Sequence, residues 1–134
     1  MLLVVDANVL FAALIKDSKT AELILSDQLK LITPEYMLSE FKKHKPEILR
    51  KTGRDSGDFE KFMWIVWNKI SVIPNEEIKH LLNEANQISP DIDDAQYFAL
   101  ALKYDCAIWS NDSKLKEQPK IKIFATEELI KFME

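Results

Sequence analysis

Carboxylates are the side chains of this sequence best placed to do chemistry, and several stand where a merely solvated acid would not. Asp6 lies inside "LLVVDANVL", residues 2–10, a stretch that otherwise reads as core. Desolvating an ionised Asp is costly unless something pairs with it. Glu40 follows Tyr36 by four residues and Met37 by three, and precedes His44 by four. It therefore falls within the apolar stripe that Phe41 completes, away from Lys42 and Lys43. Asp91 and Asp94 are three apart and share a face at the start of the apolar run "AQYFALAL", while Asp93 points elsewhere. Asp112 follows "AIWS", with Asn111 between.

Each acid has an ordinary reading on its own. Asp6 serves as a turn or cap residue. Asp91, Asp93 and Asp94 complement a helix dipole. Asp112 is a loop residue, and Glu40 reaches out to water. Taken together, each stands at a strand end, a helix start or an apolar face, and one topology can bring them to one edge. Clustered carboxylates raise one another's pKa unless a cation neutralises them. An all-oxygen set without imidazole suits a hard ion, Mg²⁺ or Mn²⁺. Such ions activate water and stabilise charge on a transferring phosphoryl group. The chemistry expected is metal-assisted phosphodiester hydrolysis.

Other chemistries lack their parts. Gly53 and Gly57 are the only glycines, so neither a P-loop nor a dinucleotide fingerprint can be built. His44, His80 and Cys106 are too few for a structural zinc site. No serine sits in a nucleophile elbow. An Asp-nucleophile phosphatase would carry a second acid two residues after Asp6, where Asn8 stands. A receiver domain would need a lysine after a late strand, and only Lys114 is near.

The elements that must position these acids follow from patterning. "LLVV" reads as a buried strand and "NVLFAALIK" as a helix; "KTAELILSDQ" is a second helix and "LKLIT" a second strand. "TPEYMLSEFKKH" reads as a helix with Thr33 as N-cap and Pro34 in its first turn. Pro46 is expected to interrupt it, with "PEILRKTG" as a further helical piece. "GDFEKFMWIVWNKI" is an apolar helix, "SVIP" a short strand and "NEEIKHLLNEANQI" an amphipathic helix. "SPDIDDAQYFALALKY" is a helix with an acidic start; "CAIWS" and "KIKIF" are strands; "TEELIKFM" is a last helix capped by Thr126. "RKTGRDSGD", residues 50–58, reads as the most flexible stretch. Short strands separated by helices imply an α/β fold, with a parallel sheet covered on both faces. In such a sheet the crevice beyond the strand carboxyl ends binds ligands. Asp6 and Asp112 leave two strands there.

The chain has 134 residues, which suggests one domain over 1–134. One cysteine permits no intrachain disulfide and favours a reducing compartment. The apolar start lacks a basic n-region and a cleavage site, and no apolar run approaches a membrane span. A cytoplasmic protein with no membrane partner is expected. Net charge is −4, but "KKHKPEILRKTGR" concentrates Lys42, Lys43, Lys45, Arg50, Lys51 and Arg54 against Glu47 alone. This segment directly follows Glu40, so it is either a solvated helix face or a grip on a phosphate backbone. Trp64 and Trp67 share a helix face and read as core, or as a dimer or partner surface.

With these residues in view, the sequence resembles PIN-domain ribonucleases. The first motif of that family resembles "DANVL", with Asp6 and Asn8. The second acid matches Glu40 in "MLSEF", and the third motif matches "DDAQYFALAL", with Asp94. The fourth matches "AIWSND", with Ser110, Asn111 and Asp112. Order, spacing and flanking elements agree over essentially the whole chain. The resemblance implies a three-layer α/β/α domain with a mainly parallel sheet. It also implies a divalent-metal-dependent endonuclease acting on single-stranded RNA. Asp6, Glu40, Asp94 and Asp112 would be the metal ligands; Asn8, Asp91, Asp93, Ser110 and Asn111 would support them. Many compact members are VapC-type toxins neutralised by an antitoxin protein, and many form homodimers. The rival reading is a PIN-like module that grips RNA or protein without cutting.

Overall fold

A computed structural model describes residues 1–15 and 18–134. Five strands form one parallel sheet: β1 (Leu2–Val5), β2 (Lys30–Pro34), β3 (Ile70–Ile73), β4 (Ala107–Trp109) and β5 (Ile123–Phe124). Their spatial order is β3-β2-β1-β4-β5. The register aligns Leu3 with Leu31 on one side and with Ala107 on the other. The chain thus builds outward from β1 through β2 to β3, then crosses back and builds outward through β4 to β5. The reversal falls between β1 and β4. Loops leaving those two strands diverge to opposite sides and open a crevice at their carboxyl ends.

Helices cover both faces, which gives three layers: α1 (Ala7–Ile15), α2 (Ser18–Leu25), α3 (Tyr36–Thr52), α4 (Ser56–Lys69), α5 (Leu82–Ile88), α6 (Ala95–Tyr104) and α7 (Thr126–Met133). Central strand β1 is buried at Leu3, Val4 and Val5, as a strand covered on both faces must be. Helix α6 lies against β1, β2 and β4 and buries Ala95, Tyr97, Phe98, Ala99, Leu100 and Ala101. Each large side chain of that set contributes about 1.5–3 kcal/mol on burial. Its N-terminus is thereby fixed against the sheet. Trp109 is fully buried and donates its Nε1–H to Thr126 Oγ1 at 3.0 Å. Among the described residues no helix is long and apolar enough to cross a membrane.

Several local expectations are corrected. Thr33 and Pro34 do not open α3; they end β2, aligned with Val72 and Ile73. A residue before proline is pushed toward extended backbone, which prolongs the strand. The buried Thr33 hydroxyl then donates to the Val5 carbonyl at 2.9 Å. Pro46 does not interrupt α3. It is exposed, so the Lys42 carbonyl deprived of its amide donor lies on a face water reaches. Residues 75–88 are not one helix. Two 3₁₀ turns, Asn75–Glu77 and Lys79–Leu81, precede α5. Buried Ile78 lies between them with its backbone out of the helical region (φ −120°, ψ −8°). The stretch 50–58 forms a helix corner tied on both sides. Gly53 ends α3 at φ 65°, where only glycine is unstrained, and Asp55 caps α4 by accepting from the Asp58 N–H at 2.8 Å. Thr126 is the first residue of α7, not its cap; Glu128 accepts the Ala125 N–H instead. Helix α1 is described as far as Ile15, and the expected continuation to Lys16 lies outside the described residues.

Candidate active site

The crevice beyond β1 and β4 collects the acids from four separate segments. Asp6 is the first residue past β1. Its N–H is held by the Trp109 carbonyl of β4 at 3.1 Å. The side chain is only 6% exposed, and its carboxylate is ringed by donors. Ser110 Oγ–H reaches Oδ2 at 2.7 Å, and Asn8 Nδ2–H reaches the same oxygen at 3.2 Å. Asn8 Nδ2 also lies 3.2 Å from Ser110 Oγ. The network continues outward. Ser110 Oγ accepts the Asp112 N–H at 3.1 Å, Asn8 Oδ1 accepts the Asn111 N–H at 3.3 Å, and Asn111 Oδ1 accepts the Thr126 N–H at 2.8 Å. Asn8, Ser110 and Asn111 thus lock the β1 and β4 loops together around Asp6.

Glu40 and Asp94 approach from helices. Glu40 lies in the second turn of α3 and is half-buried, as its place in the apolar stripe suggested. Tyr97 Oη–H donates to its Oε1 at 2.5 Å. Asp94 stands at the junction between a 3₁₀ turn (Ile92–Asp94) and α6, in the N-cap position, yet its side chain caps no amide. Asp91 does the capping one turn earlier, accepting the Asp93 N–H at 3.0 Å. Lys114 Nζ lies 3.7 Å from Asp91 Oδ2 and so links this turn to the loop after β4. Asp93 is exposed. Asp112 is exposed too and accepts the Lys114 N–H at 3.0 Å.

These charges act on one another. Burial pushes the Asp6 carboxyl up to about 6; the hydrogen bonds from Ser110 and Asn8 oppose the rise, and Glu40 and Asp112 add to it. Asp94 is pushed up to about 7, by burial first and then by Asp6, Asp91, Asp112 and Glu40. Asp6, Glu40, Asp94 and Asp112 therefore share one electrostatic neighbourhood. Among the described residues, however, no three acidic, histidine or cysteine side chains already converge as a metal cage. An all-oxygen donor set with raised pKa values is one that a hard cation would stabilise.

Tyr97 was not among the residues singled out from sequence. Its signal is a phenol one turn after Asp94, at the head of the apolar run "FALAL". A buried phenol needs a partner for its hydroxyl.

The basic segment divides. Lys45 pairs with Glu60 at 3.0 Å and Lys51 with Glu47 at 2.9 Å. Arg54 donates to the Leu14 carbonyl at 3.2 Å and lies over the Phe62 ring. Lys42, Lys43 and Arg50 are exposed and form no ion pair among the described residues. The tryptophans divide as well. Trp67 packs against Phe41 with centroids 6.1 Å apart, whereas Trp64 is 71% exposed.

A chain in the crystal structure of VapBC2 from Rickettsia felis bound to a DNA fragment from their promoter has a similar fold. The TM-score is 0.64, over 93% of this chain and 98% of that one, at 13% identity. No curated protein matches the sequence significantly. The model of the PIN domain family matches residues 4–129, which include all four acids, and the chain therefore belongs to the PIN-domain family.

Proposed function

We propose that this protein is a divalent-metal-dependent endoribonuclease that hydrolyses phosphodiester bonds of single-stranded RNA. The observation that carries this reading is the shared field of Asp6, Glu40, Asp94 and Asp112 at the point where strand order reverses. These four would hold Mg²⁺ or Mn²⁺, with Asn8, Ser110 and Asn111 orienting Asp6 and Asp91 shaping the turn that carries Asp94. Bound there, the ion would supply a water nucleophile and charge stabilisation at the phosphate. The chain's own part would be to supply these oxygens to the ion from one crevice and to bind the strand. Lys42 and Lys43, exposed just past Glu40 on α3, are the cations best placed to hold backbone phosphates, with Arg50 further along.

The fold likeness to a chain of VapBC2 supports a further step: the toxin of a toxin–antitoxin pair, neutralised by an antitoxin protein in the cytoplasm. Exposed Trp64 and Ile65 on α4 offer an apolar surface for a second copy of the chain, as a homodimer. Molar mass by light scattering checks the dimer.

Cleavage of single-stranded RNA with Mg²⁺ or Mn²⁺, comparing wild type with Asp6→Asn and Asp94→Asn, tests the activity. Cutting that needs the metal and both acids is expected. Equal cutting by all three proteins would remove the site assignment.

A further inference from the structure

Tyr97 stands at the centre of the acidic site without belonging to its set of charges. Its side chain is fully buried in α6. A phenol so placed must find a partner for its O–H or lose the hydrogen bond it had in water. The partner is Glu40 Oε1, from a residue 57 positions earlier in the chain. One hydroxyl therefore joins the helix carrying Glu40 to the helix whose N-cap residue is Asp94. The ring cannot turn freely, because Tyr36 packs edge-on against it at 6.1 Å and 74°.

Glu40 needs such a partner more than the other acids do. Its side chain is long, and Asp6 and Asp94 repel it. The face beyond it is solvent, with Lys43 one turn on. With nothing to hold it, the carboxylate would swing toward water and away from the crevice. Asp6 is held by Ser110 and Asn8; for Glu40 the only side-chain donor among the described residues is Tyr97. The phenol engages Oε1 and leaves Oε2 for another ligand.

We propose that Tyr97 is a positioning residue, whose hydroxyl holds one oxygen of Glu40 within the carboxylate cluster so that the other is presented to the divalent cation. This rests on the metal-dependent reading given above.

The test is titration of the full chain with Mn²⁺ alone, followed calorimetrically, for wild type, Tyr97→Phe, Glu40→Gln and the double variant. Tyr97→Phe keeps the ring in the core and removes only the hydroxyl. It is expected to weaken Mn²⁺ binding by about tenfold or more, the usual cost of losing a group that orients a metal ligand. Glu40→Gln also weakens binding, and Tyr97→Phe then adds nothing on that background, because the hydroxyl acts only through Glu40. Equal loss on both backgrounds would mean a merely structural role and overturn the inference, as would unchanged Mn²⁺ affinity in Tyr97→Phe. Should Tyr97→Phe not fold, Glu40→Asp takes its place. The shorter acid cannot reach both the phenol and the cation, so wild-type affinity there overturns the inference too. Absence of Mn²⁺ binding by wild type would overturn the metal-dependent reading and this inference with it. Wild-type binding that Glu40→Gln weakens and Tyr97→Phe leaves intact overturns the inference alone.

Discussion

Asp6 and Asp94 are both aspartates at the mouth of one crevice, yet they are built in opposite ways. Asp6 is nearly inaccessible and surrounded by donors; Asp94 is half-buried and caps nothing. Burial alone would put the higher pKa on Asp6. Both are raised instead, Asp6 to about 6 and Asp94 to about 7. Two donors stabilise the charged form of Asp6, while Asp94 has four acids around it and no side-chain cap bond. The difference lies in what accompanies burial, the largest cause for both: hydrogen bonds from Ser110 and Asn8 oppose it at Asp6, while at Asp94 the neighbouring acids only add to it. In the proposed metal site the two acids would take separate parts: Asp6, held by donors, the anchor, and Asp94, whose side chain caps no amide, a group that a cation would stabilise.

The largest effects come from removing charge. Asp94→Asn is expected to lower the RNA-cleavage rate at least about a hundredfold, since in the proposed metal site stabilisation of several kcal/mol would pass through it. Ser110→Ala leaves every carboxylate in place and should cost about tenfold. Single-turnover cleavage at saturating Mn²⁺ measures both, and a larger loss in Ser110→Ala would reverse the assigned parts.

Stability should respond to pH in a direction that follows from the raised values. Each carboxyl holds its proton more tightly in the folded chain than in the unfolded one. Between 3.8 and about 7 the folded protein therefore binds more protons, and stability falls as pH rises through that window. For buried Asp6 alone the displacement from 3.8 to about 6 corresponds to about 3 kcal/mol. Metal-free protein should melt at higher temperature at pH 5 than at pH 8, and saturating Mg²⁺ should raise the pH 8 value. Asp94→Asn should flatten the dependence and melt higher than wild type at pH 8. Asp6→Asn should gain less, because the amide is a poorer acceptor for Ser110 and Asn8. A metal-free protein more stable at pH 8 than at pH 5 would contradict the cluster.

Legibility in the sequence followed the same division. Strand β1, the apolar body of α6 and the acids beyond β1 and β4 could be read because burial on both faces leaves unbroken apolar runs. The odd position of Glu40 showed through helical periodicity. Local backbone choices were harder to read. Thr33 and Pro34 carry the usual marks of a helix start, and sheet pairing overrode them. Thr126 looks like a cap, but its hydroxyl is taken by Trp109 across the sheet edge. Residues 75–88 keep helical spacing, yet they divide into turns at buried Ile78, whose backbone leaves the helical region. The link from Tyr97 to Glu40 joins positions 57 apart, which no local pattern can reveal. Which lysines of the basic segment are already paired depends equally on tertiary neighbours.

A smaller effect distinguishes the hydrogen-bonded anchor from its surroundings. Removing the Ser110 hydroxyl takes a donor from an ionised, buried acceptor, a loss of about 1.5–3 kcal/mol. The exposed pair between Lys114 and Asp91 is of another kind, with both side chains in contact with water at 3.7 Å separation. Lys114→Ala should change stability by less than about 1 kcal/mol. Urea denaturation of the metal-free variants at pH 8 compares them. A larger loss in Lys114→Ala would mean that the tie between the two loops, not the ring of donors, holds the crevice in shape.

The smallest expected effect concerns the basic face of α3, where two lysines differ only in their partners. Lys43 is exposed and forms no ion pair among the described residues, while Lys51 is bound to Glu47 one turn away. A lysine that neutralises a phosphate releases a counterion, so each such contact adds about 0.7 to the slope of log affinity against log salt for a single strand. Lys43→Ala should reduce that slope by about this amount, measured by RNA binding in the Asp94→Asn background, where cutting is expected to be slow. Lys51→Ala should leave it nearly unchanged, because its charge is already countered within the helix. Equal slopes for Lys43→Ala and wild type would place the strand's path elsewhere, and Arg50 would be the next position to alter.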